Sequence, residues 1–287
     1  MLAWQGRFSR GSRGVFAQQS VSYEDGKRTM SLSINLNADM AEGFGAYDIG
    51  DDDSILKIIR SANIACGMHA GDPNTMHRVV TRAKQEGVSI GAHPGFNDLW
   101  GFGRRRIDMN PVDLEYLVAY QIGALQAMAA YVGEKVTHVK PHGSLNNMAA
   151  ENVDYAMAIG RAIKAVDRDI VYVALSGSEM EKAGRALGLP VACEGFCDRL
   201  YEDDGNLTSR KLPGAVIKDA AVATKRVVDM VLNGEVISRN GKRVKTHFDT
   251  LCVHGDEPTA IALARSVRSG LEAAGVKIVP ITELTLS

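Results

Sequence analysis

The chain has 287 residues, is 45% hydrophobic and 23% charged, and carries a formal net charge of −1. That balance is an ordinary globular one: it gives no electrostatic footprint for nucleic acid or an acidic membrane, and no apolar run approaches the roughly 20 residues that cross a bilayer. The four cysteines (Cys66, Cys193, Cys197 and Cys252) show no CxxC spacing, so a reduced, cytoplasmic setting is the simplest expectation.

In chain order, residues 1–29 come first and differ from the rest. Their opening stretch carries Arg7, Arg10 and Arg13, no acid, and no helical or strand period. It is expected to be an N-terminal extension, disordered or lying upstream of a working start at Met30. A transit peptide is the weaker alternative, because the amphipathic pattern is missing. From residue 30 to 287 a single domain is expected.

Short β-type runs follow at 33–39, 62–67, 88–94, 136–143, 170–177, 191–196, 249–256 and 276–281. Segments of helical period separate them. In 111–131, Leu114, Leu117, Val118, Ile122, Leu125 and Met128 fall at steps of three and four, which makes one helix face. Ile217, Ala220, Ala221, Val227, Val228 and Val231 predict a second helix over 215–232, ending at Gly234. Asp72-Pro73, Asn110-Pro111 and Pro258 mark helix starts, and "SEME" at 178–181 is a capping box. Seven or eight βα units, with strands that read as apolar on both faces, predict a parallel sheet covered by helices. An open doubly wound sheet and a closed (β/α) barrel both fit; the unit count and the span of roughly 250 residues favour the barrel. The connections 94–110 and 196–214 are long enough to be functional.

The strand ends carry the polar chemistry. They are Asn37 and Asp39, His69 and Asp72, His93, Lys140 and His142, Ser176, Glu194 and Asp198, then His254 and Asp256. In a parallel α/β fold these ends share one face, where ligands bind. Five of the seven histidines, at 69, 93, 138, 142 and 254, lie in or just after strands. Clustered histidines and carboxylates serve acid–base chemistry near neutral pH and also hold divalent metals. No HExxH pair occurs, so no specific metal ligand set is assigned. Lys140 suits oxyanion stabilisation, phosphate binding or a Schiff base. Arg104, Arg105 and Arg106 of "GFGRRR" suit a carboxylate or phosphate, or a solvated turn. Plainer roles stand beside these: Asp72 and Asp256 as helix caps, and the cysteines as core residues. No complete dinucleotide or P-loop fingerprint is present.

"INLNADMAEGFG", "SANIACGMHAGDP", "GAHPGFNDLWGFGRR", "VKPHGSLNN", "EGFCDRLYEDDGNLTSR" and "VHGD" occur in that order. Together they resemble the signatures of the 5-oxoprolinase A-subunit family, the bacterial lactam-utilisation (LamB/YcsF) group, from about Met30 to the end. The resemblance implies a glycoside hydrolase/deacetylase-like barrel. It further implies ATP-dependent opening of 5-oxoproline to L-glutamate, with Mg-ATP as cofactor and two partner subunits. Carried over, Asp39, His69, Asp72, His93, Lys140, His142, Glu194 and His254 would be catalytic. Glu42, Arg104, Arg105, Asp198, Arg199 and Asp256 would bind substrate. Ala38, Ala41, Asn35, Asn146 and Gly195 depart from the usual pattern, Ala41 standing where glycine is expected. A tightly bound transition metal is not expected, although the mouth has enough His and Asp to hold one, and a homo-oligomer is compatible with the sequence. The alternatives are a metal-dependent amide hydrolase or deacetylase acting without ATP, a Schiff-base lyase on Lys140, and a non-catalytic subunit that binds a small acid.

Overall fold

The run "SINLNADM" alternates with period two, which places Ile34, Leu36, Ala38 and Met40 on one strand face and Asn35, Asn37 and Asp39 on the other. A computed structural model, which describes residues 19–24, 27–209, 212–255 and 258–286, shows what that alternation builds. The chain runs β1 (Gln19–Glu24), β2 (Lys27–Met40), α1 (Asp52–Leu56), β3 (Ser61–Ala65), α2 (Pro73–Gln85), β4 (Ser89–His93), α3 (Pro111–Tyr131) and β5 (His138–Val139). It continues through α4 (Gly143–Glu151), α5 (Val153–Val166), β6 (Val171–Leu175), α6 (Glu179–Ala186), β7 (Val191–Phe196) and α7 (Ala220–Asn233). A small hairpin, β8 (Glu235–Ile237) with β9 (Arg243–Lys245), precedes β10 (Thr250–Val253), α8 (Pro258–Ala273) and β11 (Val276–Ile278).

Strands β2, β3, β4, β5, β6, β7 and β10 pair in parallel in that order, and β10 returns to β2, closing the ring. The expected (β/α) barrel is therefore a seven-stranded one. The eighth run, β11, pairs in parallel with β2 at Leu32–Ile34, below the level where β2 meets β10 and β3. Strand β1, inside the segment read as an extension, pairs antiparallel with the start of β2.

Ile34, Leu36, Ala38 and Met40 are buried in the main apolar cluster together with residues of the surrounding helices. Inside the ring the expectation of strands apolar on both faces fails. The interior is polar, built in tiers from alternate strand residues. Thr250 donates to Asn35, which donates to Ser61 at 2.9 Å. One tier up, Asn37 donates to Thr250 and Glu194, and Asn63 donates to Asn37 at 2.7 Å. Above these lie Asp39, His93 and Lys140. In the two lower tiers Asn35, Asn37, Ser61, Asn63 and Thr250 each find a hydrogen-bonding neighbour, which is what makes such an interior tolerable.

Two local expectations also change. The second long helix starts at Ala220 rather than 215, because Asp219 caps it and the Ile217 amide is taken by the Asp198 carbonyl at 2.7 Å. The capping box at 178–181 does not close: the Ser178 hydroxyl donates back to the Leu175 carbonyl, and Glu181 accepts from the Gly177 amide. Among the described residues, no helix is long and apolar enough to cross a membrane.

Candidate active site

Strand β2 ends at Met40, and the next residue, Ala41, adopts φ 59°. That left-handed turn, unusual for a residue with a Cβ, directs Glu42 back over the barrel mouth. The carboxylate oxygen Oε1 of Glu42 lies 3.2 Å from His69 Nε2, 3.3 Å from His142 Nδ1 and 4.0 Å from His93 Nε2. The His93 Nε2 and His142 Nδ1 atoms are 3.0 Å apart, and the His69 and His142 rings stack at 3.6 Å. Each imidazole comes from a different strand end: His69 after β3, His93 at the end of β4, His142 after β5.

Two of the rings are oriented by main-chain carbonyls. His93 Nδ1 donates to the Lys140 carbonyl at 2.7 Å, and His142 Nε2 donates to the Phe102 carbonyl at 2.8 Å. Phe102 itself has φ 53°, a second left-handed non-glycine residue beside the site. It lies on the 94–110 connection, which therefore reaches the candidate site.

Below the histidines, Lys140 Nζ is 2.9 Å from Asp39 Oδ1 and 2.8 Å from Glu194 Oε1, and it also donates to Asn37 and to the Cys252 sulfur. Burial works against the Lys140 charge, but Asp39, Cys252 and Glu194 outweigh it and hold its proton affinity well above the usual lysine range. An ammonium so held is not the neutral amine that a Schiff base needs. Burial would raise Asp39, yet His93 and Lys140 keep its carboxyl well below the usual range. Burial raises Glu194, with Lys140 only partly compensating.

The histidines divide. Burial lowers His93, but Asp39, 3.3 Å away, and Glu42 reverse this and raise it. Burial, then the neighbouring imidazoles, push His69 well down; burial and His93 push His142 down to about 3. The site therefore holds one imidazole that favours its proton beside two that refuse one. Asp39 is the most open of these groups, with 22% of its side chain exposed against 5% or less for the three imidazoles.

Asp39, Glu42, His69, His93, Lys140, His142 and Glu194 are thus brought together. The other candidates have different surroundings. Asp72 caps α2, accepting from the Asn74 and Thr75 amides, and also accepts from the Gly45 amide. Arg105 is paired with Asp98 through its Nε at 2.9 Å. Arg104 lies over the Phe102 ring, close enough to add to the depression of His69 and His142. Arg199 is buried and donates to the Thr208 carbonyl within the 196–214 connection. His254 Nδ1 is 3.0 Å from Asp198 Oδ2, and both line a cavity of about 140 Å³ with Cys197, Val216, Ile217 and Lys218. Asp256 lies outside the described residues. Asn63, His138 and Cys252 belong to the network, although the sequence does not mark them as site residues. Asn63 donates to Asp39 at 2.9 Å and accepts from His138 Nε2 at 3.0 Å. The signal available for them is strand alternation carried inward from β2.

A sequence model of the LamB/YcsF family matches residues 34–286. The chain is 55% identical over 250 residues to the 5-oxoprolinase A-subunit of Rhodopseudomonas palustris strain BisB5, covering 87% of this chain and 98% of that protein. It is 48% identical to the 5-oxoprolinase A-subunit of Gluconobacter oxydans strain 621H, covering 87% of this chain and 98% of that protein. The solved structure of a lactam utilization protein from Thermus thermophilus superposes with a TM-score of 0.83 at 43% identity, covering 86% of this chain and 99% of that one.

Proposed function

This chain belongs to the LamB/YcsF family, and from that premise we propose that it opens 5-oxoproline hydrolytically to L-glutamate, coupled to ATP with magnesium, as one of three subunits. Relatives that carry the 5-oxoprolinase name, matched over nearly their whole length, support the substrate. The observation that carries the chemistry is Asp39, the most open carboxylate of the mouth, set between the Lys140 ammonium and His93.

An unstrained five-membered lactam opens unfavourably in water, so coupling to phosphoryl transfer supplies the driving force. Phosphorylation of the lactam oxygen also makes the ring carbon electrophilic. Asp39 then orients and deprotonates the attacking water and passes that proton to the ring nitrogen as the C–N bond breaks; the acyl phosphate so formed is hydrolysed by a second water, releasing glutamate and inorganic phosphate. Lys140 and Asn63 position Asp39 and keep it ionised. Arg104, at the rim, faces the substrate carboxylate or the phosphate.

The test is glutamate release from 5-oxoproline with ATP and magnesium, by the chain alone and with its two partner subunits. Release with the partners, and a fall in kcat of about 10²–10⁴-fold in Asp39→Asn, is expected. No release from the complete, folded mixture would overturn the proposal. The convergence of Glu42 with three imidazoles favours a second reading, amide hydrolysis that needs a metal and no ATP. ATP-independent release by the chain alone, abolished by a chelator, would select it.

A further inference from the structure

Glu42 Oε1, His69 Nε2, His93 Nε2 and His142 Nδ1 all lie within 4.8 Å of one another, and all four residues are buried. We propose that these four atoms are the ligands of a divalent first-row transition-metal ion, bound at a site distinct from any magnesium that accompanies ATP. The proposal stands independently of both readings of turnover given above.

Three observations carry it. The first is spacing. Four ligands at a tetrahedral centre with metal–ligand distances of about 2.1 Å stand about 3.4 Å from each other. Four of the six separations here are 3.0, 3.2, 3.3 and 4.0 Å and all six lie within 4.8 Å, a somewhat expanded form of such a polyhedron. They are long for charge-assisted hydrogen bonds, which close to about 2.7–2.9 Å. The carboxylate oxygen thus lies within 4.0 Å of three nitrogens, and a turn of one of the two stacked rings, His69 or His142, would bring all the lone pairs to one point.

The second is where the ring protons are. His93 Nδ1 and His142 Nε2 each donate to a main-chain carbonyl. In the neutral rings, the two nitrogens left facing each other at 3.0 Å are both bare. Two lone pairs at that separation require a positive centre between them. A proton would serve one pair of atoms, whereas a metal ion serves all four donors at once. Tying the non-ligating nitrogen to a carbonyl is also how metal-bound imidazoles are usually oriented.

The third is the space left for the rings. A Cβ on Gly95 would stand 2.6 Å from His69 Nδ1, and one on Gly103 2.7 Å from His69 Cβ and 2.8 Å from His142 Cδ2. Gly103 also has φ +61°. Two separate turns of the 94–110 connection therefore lack side chains where His69 and His142 stack.

Three imidazoles and one carboxylate form a borderline donor set that suits zinc, cobalt, iron or nickel, whereas magnesium prefers oxygen donors and water. When bound, such an ion would supply Lewis acidity beside Asp39.

Cobalt(II) is the probe. The full-length protein would be stripped with a chelator, titrated with cobalt, and followed by visible ligand-field absorption and metal analysis. Uptake of roughly one ion per chain with a four-coordinate spectrum is expected. Glu42→Gln and His93→Ala should each weaken that binding by more than about 100-fold. His77→Ala, which removes an exposed imidazole on α2, should bind as the unaltered protein does. No uptake by the unaltered, folded chain would overturn the proposal. So would uptake that Glu42→Gln and His93→Ala leave intact, or uptake that His77→Ala removes. If the two ligand variants fail to fold, the spectrum and stoichiometry of the unaltered chain still decide. Cobalt uptake without glutamate release in the complete mixture would sink the proposed turnover and leave the metal site standing.

Discussion

Lys140 reaches across the barrel interior from the end of β5 to carboxylates on β2 and β7, and the network around it is closed to water except at Asp39. Removing one partner of a buried ionic group leaves the other charges uncompensated, a loss of about 3–5 kcal/mol. Lys140→Met should therefore lower stability by that amount, read as a shift of the urea midpoint, and abolish turnover even where the protein remains folded. A shift below about 1 kcal/mol would show that Asp39 and Glu194 do not depend on the ammonium. The buried imidazoles add a pH dependence. Burial, then Lys140, holds His138 down to about 3, as burial and His93 do for His142. The unfolded chain takes up these protons near pH 6.5 and the folded chain does not. Stability must then fall as pH drops from about 6.5 towards 3, by about 1.4 kcal/mol per pH unit for each group. Asp39, depressed in the fold, adds to the loss at the acid end. Raised Glu194 acts in the opposite direction between its raised value and about pH 4.5 and blunts it there, whereas raised His93 changes stability only above about pH 6.5. Urea denaturation at about pH 7, 5.5 and 4.5 should show a net decline, and a flat or rising profile would contradict the assignment of His138 and His142 as neutral.

At the scale of elements, what was legible in the sequence was what depends on local period. Helix α3 occupies the 111–131 stretch that its apolar spacing marks, and the strand-end residues Asp39, His69, His93, Lys140, His142 and Glu194 do share one mouth. Asp72-Pro73 is also a helix start, with Asp72 as the cap. Asp72→Ala should therefore cost about 1 kcal/mol of stability, largely restored by Asp72→Ser, with kcat changed little at temperatures well below the melt. A large loss of kcat in the folded variant would return Asp72 to the catalytic group. The convergence of Glu42 with His69, His93 and His142 was not legible, because it depends on how the chain turns after each strand. It needs left-handed backbone at Ala41 and Phe102 and bare glycine at 95 and 103. None of these leaves a period to read. The polar interior was readable in part: "INLNAD" alternates, but the shorter strands are buried on both faces, and burial alone does not distinguish an inward asparagine from an outward alanine.

For the molecule as a whole, the ring is sealed by pairing β2 with β10, through contacts such as Thr250 with Asn35, 215 residues apart in the chain. Each other neighbouring pair in the ring joins strands that follow more closely in sequence. That order has a consequence for the chain as it is made. During synthesis Asp39, Lys140 and Glu194 are all exposed by the ribosome well before β10, so the charges meant for the interior wait in water. The half-ring meanwhile presents two unsealed edges, at β2 and β7. Ribosome-bound chains that end before residue 250 should be degraded rapidly by added protease, and chains that extend through β11 should resist it. Nascent chains would then depend on shielding of those edges until the final stretch of the sequence has emerged, and the active site would assemble as the last event in the life of the polypeptide on the ribosome.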